Sequence, residues 1–74
     1  MTQRALKSEI TGTVWKIEVA VGDTVEEGDT VVILESMKME MPVEAEEPGR
    51  VKEFLCQVGD AVNEGQVLVV LSAD

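Results

Sequence analysis

The sequence predicts an all-β domain built from two copies of one structural unit. Residues 37 positions apart match repeatedly, and 2 × 37 = 74 is the full length of the chain. The clearest matches are Gly12 and Gly49, Val14 and Val51, Gly22 and Gly59, Asp23 and Asp60, Val25 and Val62, Gly28 and Gly65, Val32 and Val69, and Leu34 and Leu71. An open array needs at least three units to bury a core. Two units therefore predict a closed domain with approximate twofold symmetry.

The composition favours strands as the building blocks of that domain. Hydrophobic residues make up 45% of the chain, but Trp15 and Phe54 are the only aromatic ones. The core must therefore consist mainly of Val, Ile, Leu and Met, a composition that suits packed strands. A chain of this size buries only about 60% of its unfolded surface. We therefore expect one domain over residues 1–74, without a large catalytic cavity.

The charge and the residue types exclude several classes of function. The net charge of -9 repels phosphate backbones and anionic lipids, so we expect neither nucleic acid nor a membrane as partner. The first residues are too polar for a secretory signal, and no apolar run approaches the ~18 residues of a membrane span, so we expect a cytoplasmic protein. Histidine is absent, so we predict no catalytic residue and no metal site. Cys56, the only cysteine, is interpreted as a small core residue.

The strands and turns follow the repeat in order. Two-residue alternation predicts that one set of side chains points inward: Trp15, Ile17, Val19 and Val21, with Phe54, Cys56 and Val58 in the second copy. Residues 22–28 and 59–65 each begin and end with glycine, which predicts turns with positive φ anchored by Val25 and Val62. The apolar runs 31–34 and 67–71 predict strands that are covered on both faces. Residues 6–10, the counterparts of 43–47, should add a strand beside 67–71.

The loop at the midpoint of the chain predicts a tight hairpin. If Met37 and Lys38 are its two central residues, Ser36 lies opposite Met39 and Glu35 lies opposite Glu40. Such a turn requires positive φ and favours Asn or Gly, whereas this chain has Met and Lys there. Like charges facing each other across a ladder also reduce stability. We interpret the loop as a device that holds Lys38 out as a target, at the end opposite the chain termini.

Residues 36–39, Ser-Met-Lys-Met, resemble the modification motif of the biotinyl and lipoyl attachment domains, and the similarity extends over nearly the whole chain. The biotin branch usually has Ala-Met-Lys-Met and the lipoyl branch Asp-Lys-Ala, so Met37 and Met39 indicate biotin. The resemblance implies a flattened β-barrel of two quasi-symmetric four-stranded antiparallel sheets, the barrel-sandwich hybrid or single hybrid motif. It also implies that the modified lysine lies at an exposed hairpin tip, which agrees with the position of Lys38.

The resemblance further implies a carrier rather than an enzyme. A biotin protein ligase would attach biotin covalently to Lys38, with Met37 and Met39 as the cofactor-binding motif. Glu35, Ser36 and Glu40 would be recognised by the ligase, whereas Gly12 and Gly49 would be structural. The biotinylated lysine would then act as a swinging arm that shuttles a carboxyl group between biotin carboxylase and carboxyltransferase, the partners of a multi-component biotin-dependent carboxylase.

Two alternatives stay open: a lipoyl carrier domain, and an unmodified scaffold or interaction domain. We expect a free-standing monomeric carrier, although a domain excised from a longer protein and given a start residue would have the same sequence. The sequence does not identify the carboxyl acceptor, which could be an acyl-CoA, pyruvate, urea or another compound.

Overall fold

The computed structural model describes residues 3–72, and these form strands and no helix. The strands are β1 Gln3–Lys7, β2 Gly12–Ile17, β3 Thr24–Val25, β4 Thr30–Ser36, β5 Met39–Glu44, β6 Gly49–Phe54, β7 Ala61–Val62 and β8 Val67–Ser72. The described chain thus has no helix long and apolar enough to cross a membrane.

The strands form two four-stranded antiparallel sheets, ordered β1-β8-β6-β3 and β5-β4-β2-β7. Each strand of one sheet has its counterpart 37 residues away in the other: β1 with β5, β2 with β6, β3 with β7 and β4 with β8. The predicted fold class is therefore confirmed, and each sheet combines two strands from the first copy of the repeat with two from the second.

The core lies between the sheets and consists mainly of pairs of repeated residues. The buried pairs of identical residues are Val14 and Val51, Val25 and Val62, Val32 and Val69, and Leu34 and Leu71. Val31 and Leu68 are also buried, so consecutive residues of β4 and β8 are covered. The prediction that both runs are covered on both faces is confirmed only in part, because Ile33, Val67 and Val70 are half-buried. Burying this much aliphatic surface is the main favourable contribution to folding, at ~25 cal/mol per Å².

The predicted alternation after Gly12 is wrong for three residues. Trp15, Val21 and Val58 are 44%, 61% and 61% exposed, whereas Ile17, Val19 and Phe54 pack against the core and Cys56 is buried. A β-bulge in β2 explains Trp15. Val14 pairs with Leu34 and Lys16 pairs with Ile33, so Trp15 is an extra residue that interrupts the alternation.

Val21 and Val58 are exposed for a different reason. Both lie beyond the ends of their strands, immediately before the turns at Gly22 and Gly59. The two-residue alternation applies only while the chain remains a strand. It therefore no longer determines which way these two side chains point.

The two glycine-bounded turns are confirmed. Gly22 and Gly28 have φ of 94° and 90°, and Gly59 and Gly65 have φ of 96° and 88°. In both copies the aspartate after the first glycine closes its turn. Its carboxylate accepts a 2.9 Å hydrogen bond from the backbone N–H three residues earlier, Ala20 for Asp23 and Gln57 for Asp60. These bonds fix the loops that lead from β2 and β6 into the short strands.

The pairings place the hairpin and the described chain ends far apart. Gly12, at the start of β2, lies against Glu35 and Ser36 of the hairpin. Ten residues later, Gly22 donates a 2.8 Å hydrogen bond to Val51, whose register partner Leu71 is next to Ser72. The molecule is elongated and measures 36 × 18 × 17 Å. Residues 1, 2, 73 and 74, which include the terminal residues of the predicted symmetry, lie outside the described part.

Candidate functional site

The hairpin between β4 and β5 presents Lys38 at its tip. Ser36 pairs with Met39 and Glu35 pairs with Glu40, which confirms the predicted register. Met37 and Lys38 have φ of 52° and 67°, and no other non-glycine residue among residues 3–72 has positive φ. A side chain in this backbone region is strained by about 1 to 3 kcal/mol. Lys38 is exposed at the tip of this turn.

Gly12 supports the hairpin from the neighbouring strand. A Cβ atom at this position would lie 2.6 Å from the carbonyl oxygen of Glu35 and 3.4 Å from the Cβ of Ser36. Only glycine therefore allows β2 to approach β4 this closely at the base of the turn. The role of Gly12 is structural, as the sequence predicted, but its position at the hairpin was not foreseen.

The charges around Lys38 are unbalanced. Glu35 and Glu40 lie directly opposite each other and are both exposed. The ion pairs found among residues 3–72 are Arg4 with Glu47, and Lys16 with Glu18 at 3.2 Å. Neither involves the two hairpin glutamates. The base of the hairpin therefore carries two negative charges that no described cation neutralises through an ion pair.

The methionines form an exposed apolar rim around the tip. Met37 is 92% exposed and Met39 is 63% exposed, so neither fills space in the core. Met41, the register partner of Leu34, is 40% exposed and lines an open groove between β1 and β5. Flexible, polarizable thioethers at a surface suit contact with another molecule. The six residues predicted to form the site, 35–40, thus lie together on one hairpin.

Sequence reasoning missed the exposure of Trp15, although the repeat contained a usable signal. The counterpart of Trp15 is Lys52, which occupies the same extra position in the bulge of β6 and is also exposed. A lysine in the second copy indicates that the first copy does not bury this position.

The described residues offer little for catalysis within the chain itself. No group of three or more His, Cys, Asp or Glu side chains among them is arranged to hold a metal ion. Cys56 is buried, and its Sγ lies 3.7 Å from the carbonyl oxygen of Leu68. Burial, with a smaller effect from the charge of Asp60, raises the pKa of the Cys56 thiol. The thiol is therefore a protonated core group rather than an activated nucleophile.

Comparison with known proteins agrees with this geometry. The family model for biotin-requiring enzymes, Biotin_lipoyl, matches residues 5–74. A biotin/lipoyl attachment protein from Bacillus subtilis is 52% identical over 45 residues, which cover 61% of this chain and 62% of that protein. The alpha3 subunit of a biotin-dependent acyl-coenzyme A carboxylase from Mycobacterium leprae is 53% identical over 45 residues, covering 61% of this chain but 8% of that subunit.

The fold agrees as well. The crystal structure of Kluyveromyces lactis urea carboxylase superimposes with a TM-score of 0.90 and 45% identity, covering 96% of this chain and 6% of that one. The aligned part thus spans less than two thirds of each of these proteins. The family match covers nearly the whole of this chain and includes the hairpin. The chain therefore belongs to the biotin/lipoyl attachment family, as a carrier domain homologous to the biotinyl domains of carboxylases rather than a catalytic domain.

Proposed function

We propose that a biotin protein ligase attaches biotin to Lys38, and that the domain carries a carboxyl group between biotin carboxylase and carboxyltransferase. The observation that carries this proposal is the strained turn. Met37 and Lys38 both adopt positive φ at an exposed tip, where Asn or Gly would be favoured. The turn requires positive φ but not a methionine and a lysine, and strain that is kept where Asn or Gly would relieve it indicates a functional constraint.

The attachment step is an acyl transfer to an amine. The neutral Nζ of Lys38 attacks the acyl carbon of activated biotin, an amide bond forms, the activating group departs and the amine releases a proton. The nearest hairpin carboxylates, Glu35 and Glu40, flank the turn on β4 and β5. The ligase supplies the activated biotin and the base. The chain supplies an accessible amine, and one positive charge at the tip is lost on modification.

Biotin, once attached, supplies the group that takes up and releases the carboxyl. The contribution of this chain is to tether that group at the end of an elongated body. A tethered group meets two active sites at high effective concentration without diffusing away from the complex. The β-bulges in β2 and β6 and the turns closed by Asp23 and Asp60 shape this body. We propose that the motion needed for transfer comes from the lysine arm or from movement of the whole domain.

The neighbours of Lys38 support biotin rather than lipoate. Met37 and Met39 match the biotin branch of the family, and their exposure leaves both available to the ligase. Glu35, Ser36 and Glu40 are the proposed recognition residues, since they lie on the first two ladder rungs below the tip. A lipoyl carrier remains the second candidate, because one matched relative is described as a biotin/lipoyl attachment protein. The carboxylase context and a cytoplasmic location are parts of the proposal.

The test is labelling followed by measurement of intact mass. The purified chain is incubated with biotin, ATP and a biotin protein ligase, and peptide mapping locates any modification. We expect one biotinyl group on Lys38. Lys38→Arg keeps the charge but removes the acylable amine, so it should take no label and keep its thermal stability.

Lys7→Arg is the matched control, because it makes the same change at another exposed lysine and should label normally. Label on Lys7, Lys16 or Lys52 would contradict the site. If a lipoate ligase adds a lipoyl group while the biotin ligase adds nothing, the second candidate is correct.

A further inference from the structure

The outer faces of the two sheets differ in charge at equivalent positions. In the sheet that bears Lys38, the second rung below the tip joins three register partners: Thr13, Glu35 and Glu40. The equivalent rung of the other sheet joins Arg50, Ser72 and Gln3. Two carboxylates on the first face thus correspond to one guanidinium on the second. The fold accepts either charge pattern, so it does not require the acidic one.

Further from the tip, the outer face of the same sheet carries a half-exposed tryptophan. Trp15, the extra residue of the bulge in β2, follows Val14 and is 44% exposed. Opposite the bulge lies Ile33, and Ile33 is paired in turn with Pro42 of β5. The equivalent bulge residue of the other sheet is Lys52, which is also exposed. The bulge therefore forms without an aromatic residue, and Trp15 is available for another purpose.

The distance from the tip identifies which partner reaches this face. An unmodified lysine extends only roughly 6 Å from its Cα, because it has five bonds of about 1.5 Å. An enzyme that acts on the bare amine must therefore contact the body of the domain. Pro42 is three residues from Met39, or about 10 Å along the strand at 3.3 Å per residue. An ordinary interface of about 800 Å² per partner is about 30 Å across, so one centred on Lys38 covers Trp15.

We propose that Trp15 is the apolar anchor of the surface on which the biotin ligase docks. This surface, the ligase-docking face, consists of Glu35, Glu40, Trp15 and Pro42. Its unneutralised carboxylates call for a cationic side chain on the ligase, beside an apolar pocket that receives the indole. Enzymes that act on the biotinylated domain reach the longer biotinyl-lysine arm, so they depend less on contact with the ligase-docking face. The inference rests on the proposed modification of Lys38.

The test exchanges the two equivalent bulge residues. Trp15→Lys gives the first bulge the residue of the second, and Lys52→Trp is the matched control at the other sheet. Labelling by a purified biotin protein ligase with biotin and ATP gives kcat and KM for each variant. We expect Trp15→Lys to lower kcat/KM at least about tenfold through KM, as for a tryptophan hot spot. Lys52→Trp should stay within twofold of the unmodified sequence.

The result is interpreted alongside thermal unfolding of each variant. Trp15→Gln is the second variant, which separates loss of the indole from addition of a positive charge, and it should also raise KM. An unchanged KM in both Trp15 variants would overturn the docking role while leaving Lys38 as the acceptor. A fall confined to kcat would overturn it as well, because a docking contact acts on binding. If the unsubstituted chain takes no label, both the function and the docking face are wrong.

Discussion

The two halves of the duplicated chain share the residues that build the backbone. The glycines with positive φ occur at equivalent positions, Gly22 with Gly59 and Gly28 with Gly65. Gly12 and Gly49 both mark a close approach of strands, where an added Cβ would lie 2.6 Å from the oxygen of Glu35 or 2.9 Å from that of Ser72. The features that recur in both halves are thus those that the fold needs.

The features that occur once lie at the hairpin and in the bulge of β2. The strained turn at Met37 and Lys38 joins the two halves and does not recur among the described residues, and neither does the pairing of Glu35 with Glu40 beside it. At the position equivalent to Trp15, the other half has a lysine, Lys52. A duplicated domain therefore contains an internal control, because each half shows which residues the other would have if folding were the only requirement.

The largest expected effect tests whether the core residues of the two halves contribute equally to the stability of the domain. Leu34 and Leu71 are equivalent and are 1% and 2% exposed. Replacing either by alanine should destabilise the domain by about 3 kcal/mol, from lost burial and from the cavity left behind. Chemical denaturation of both variants should give costs that agree within about 1 kcal/mol. A large difference would mean that one sheet dominates the stability and that the two-copy description is incomplete.

A smaller effect on stability comes with a difference in function between the halves, which glycine-to-alanine substitutions at equivalent positions can reveal. Gly12→Ala and Gly49→Ala each insert a methyl group against a backbone carbonyl. Each should lower the free energy of unfolding by about 2 kcal/mol. Gly12→Ala should have the larger effect, because its contact is closer. Gly12→Ala should also slow labelling of Lys38, since the strand beneath the hairpin must move. Labelling of Gly49→Ala, measured at a temperature where both variants are folded, should remain normal. Equal labelling would show that the hairpin does not depend on the support of β2.

Much of the fold and of the hairpin could be predicted because the relevant signals are local. A two-residue loop fixes the register of its strands, so placing Met37 and Lys38 at its centre predicted that Glu35 faces Glu40. Glycines at fixed spacing predicted the turns at positive φ. The repeat then transferred each local prediction to the other half of the chain.

The exposed surface could not be predicted in the same way. Strict alternation placed Trp15 inward, but a bulge adds one residue and its position depends on pairing with β4, which lies far along the chain. The close approach of Gly12 to Glu35 also joins residues distant in sequence. Comparing Trp15 with its counterpart Lys52 would have corrected the first error. Lysine is seldom buried, so a lysine at this position in one copy indicates an exposed position in both copies.

The smallest expected effect concerns the strain in the turn, which has no counterpart among the described residues of the other half. Asparagine tolerates positive φ better than methionine, so Met37→Asn should stabilise the domain by about 1 kcal/mol. Met39→Asn is the matched control, since Met39 lies in β5 without positive φ and should gain nothing from the same change. Thermal and chemical unfolding measure both. If Met37→Asn gives no gain while Met39→Asn behaves as expected, the methionine at the tip is not strained, and the turn no longer indicates that folding stability was given up to present Lys38.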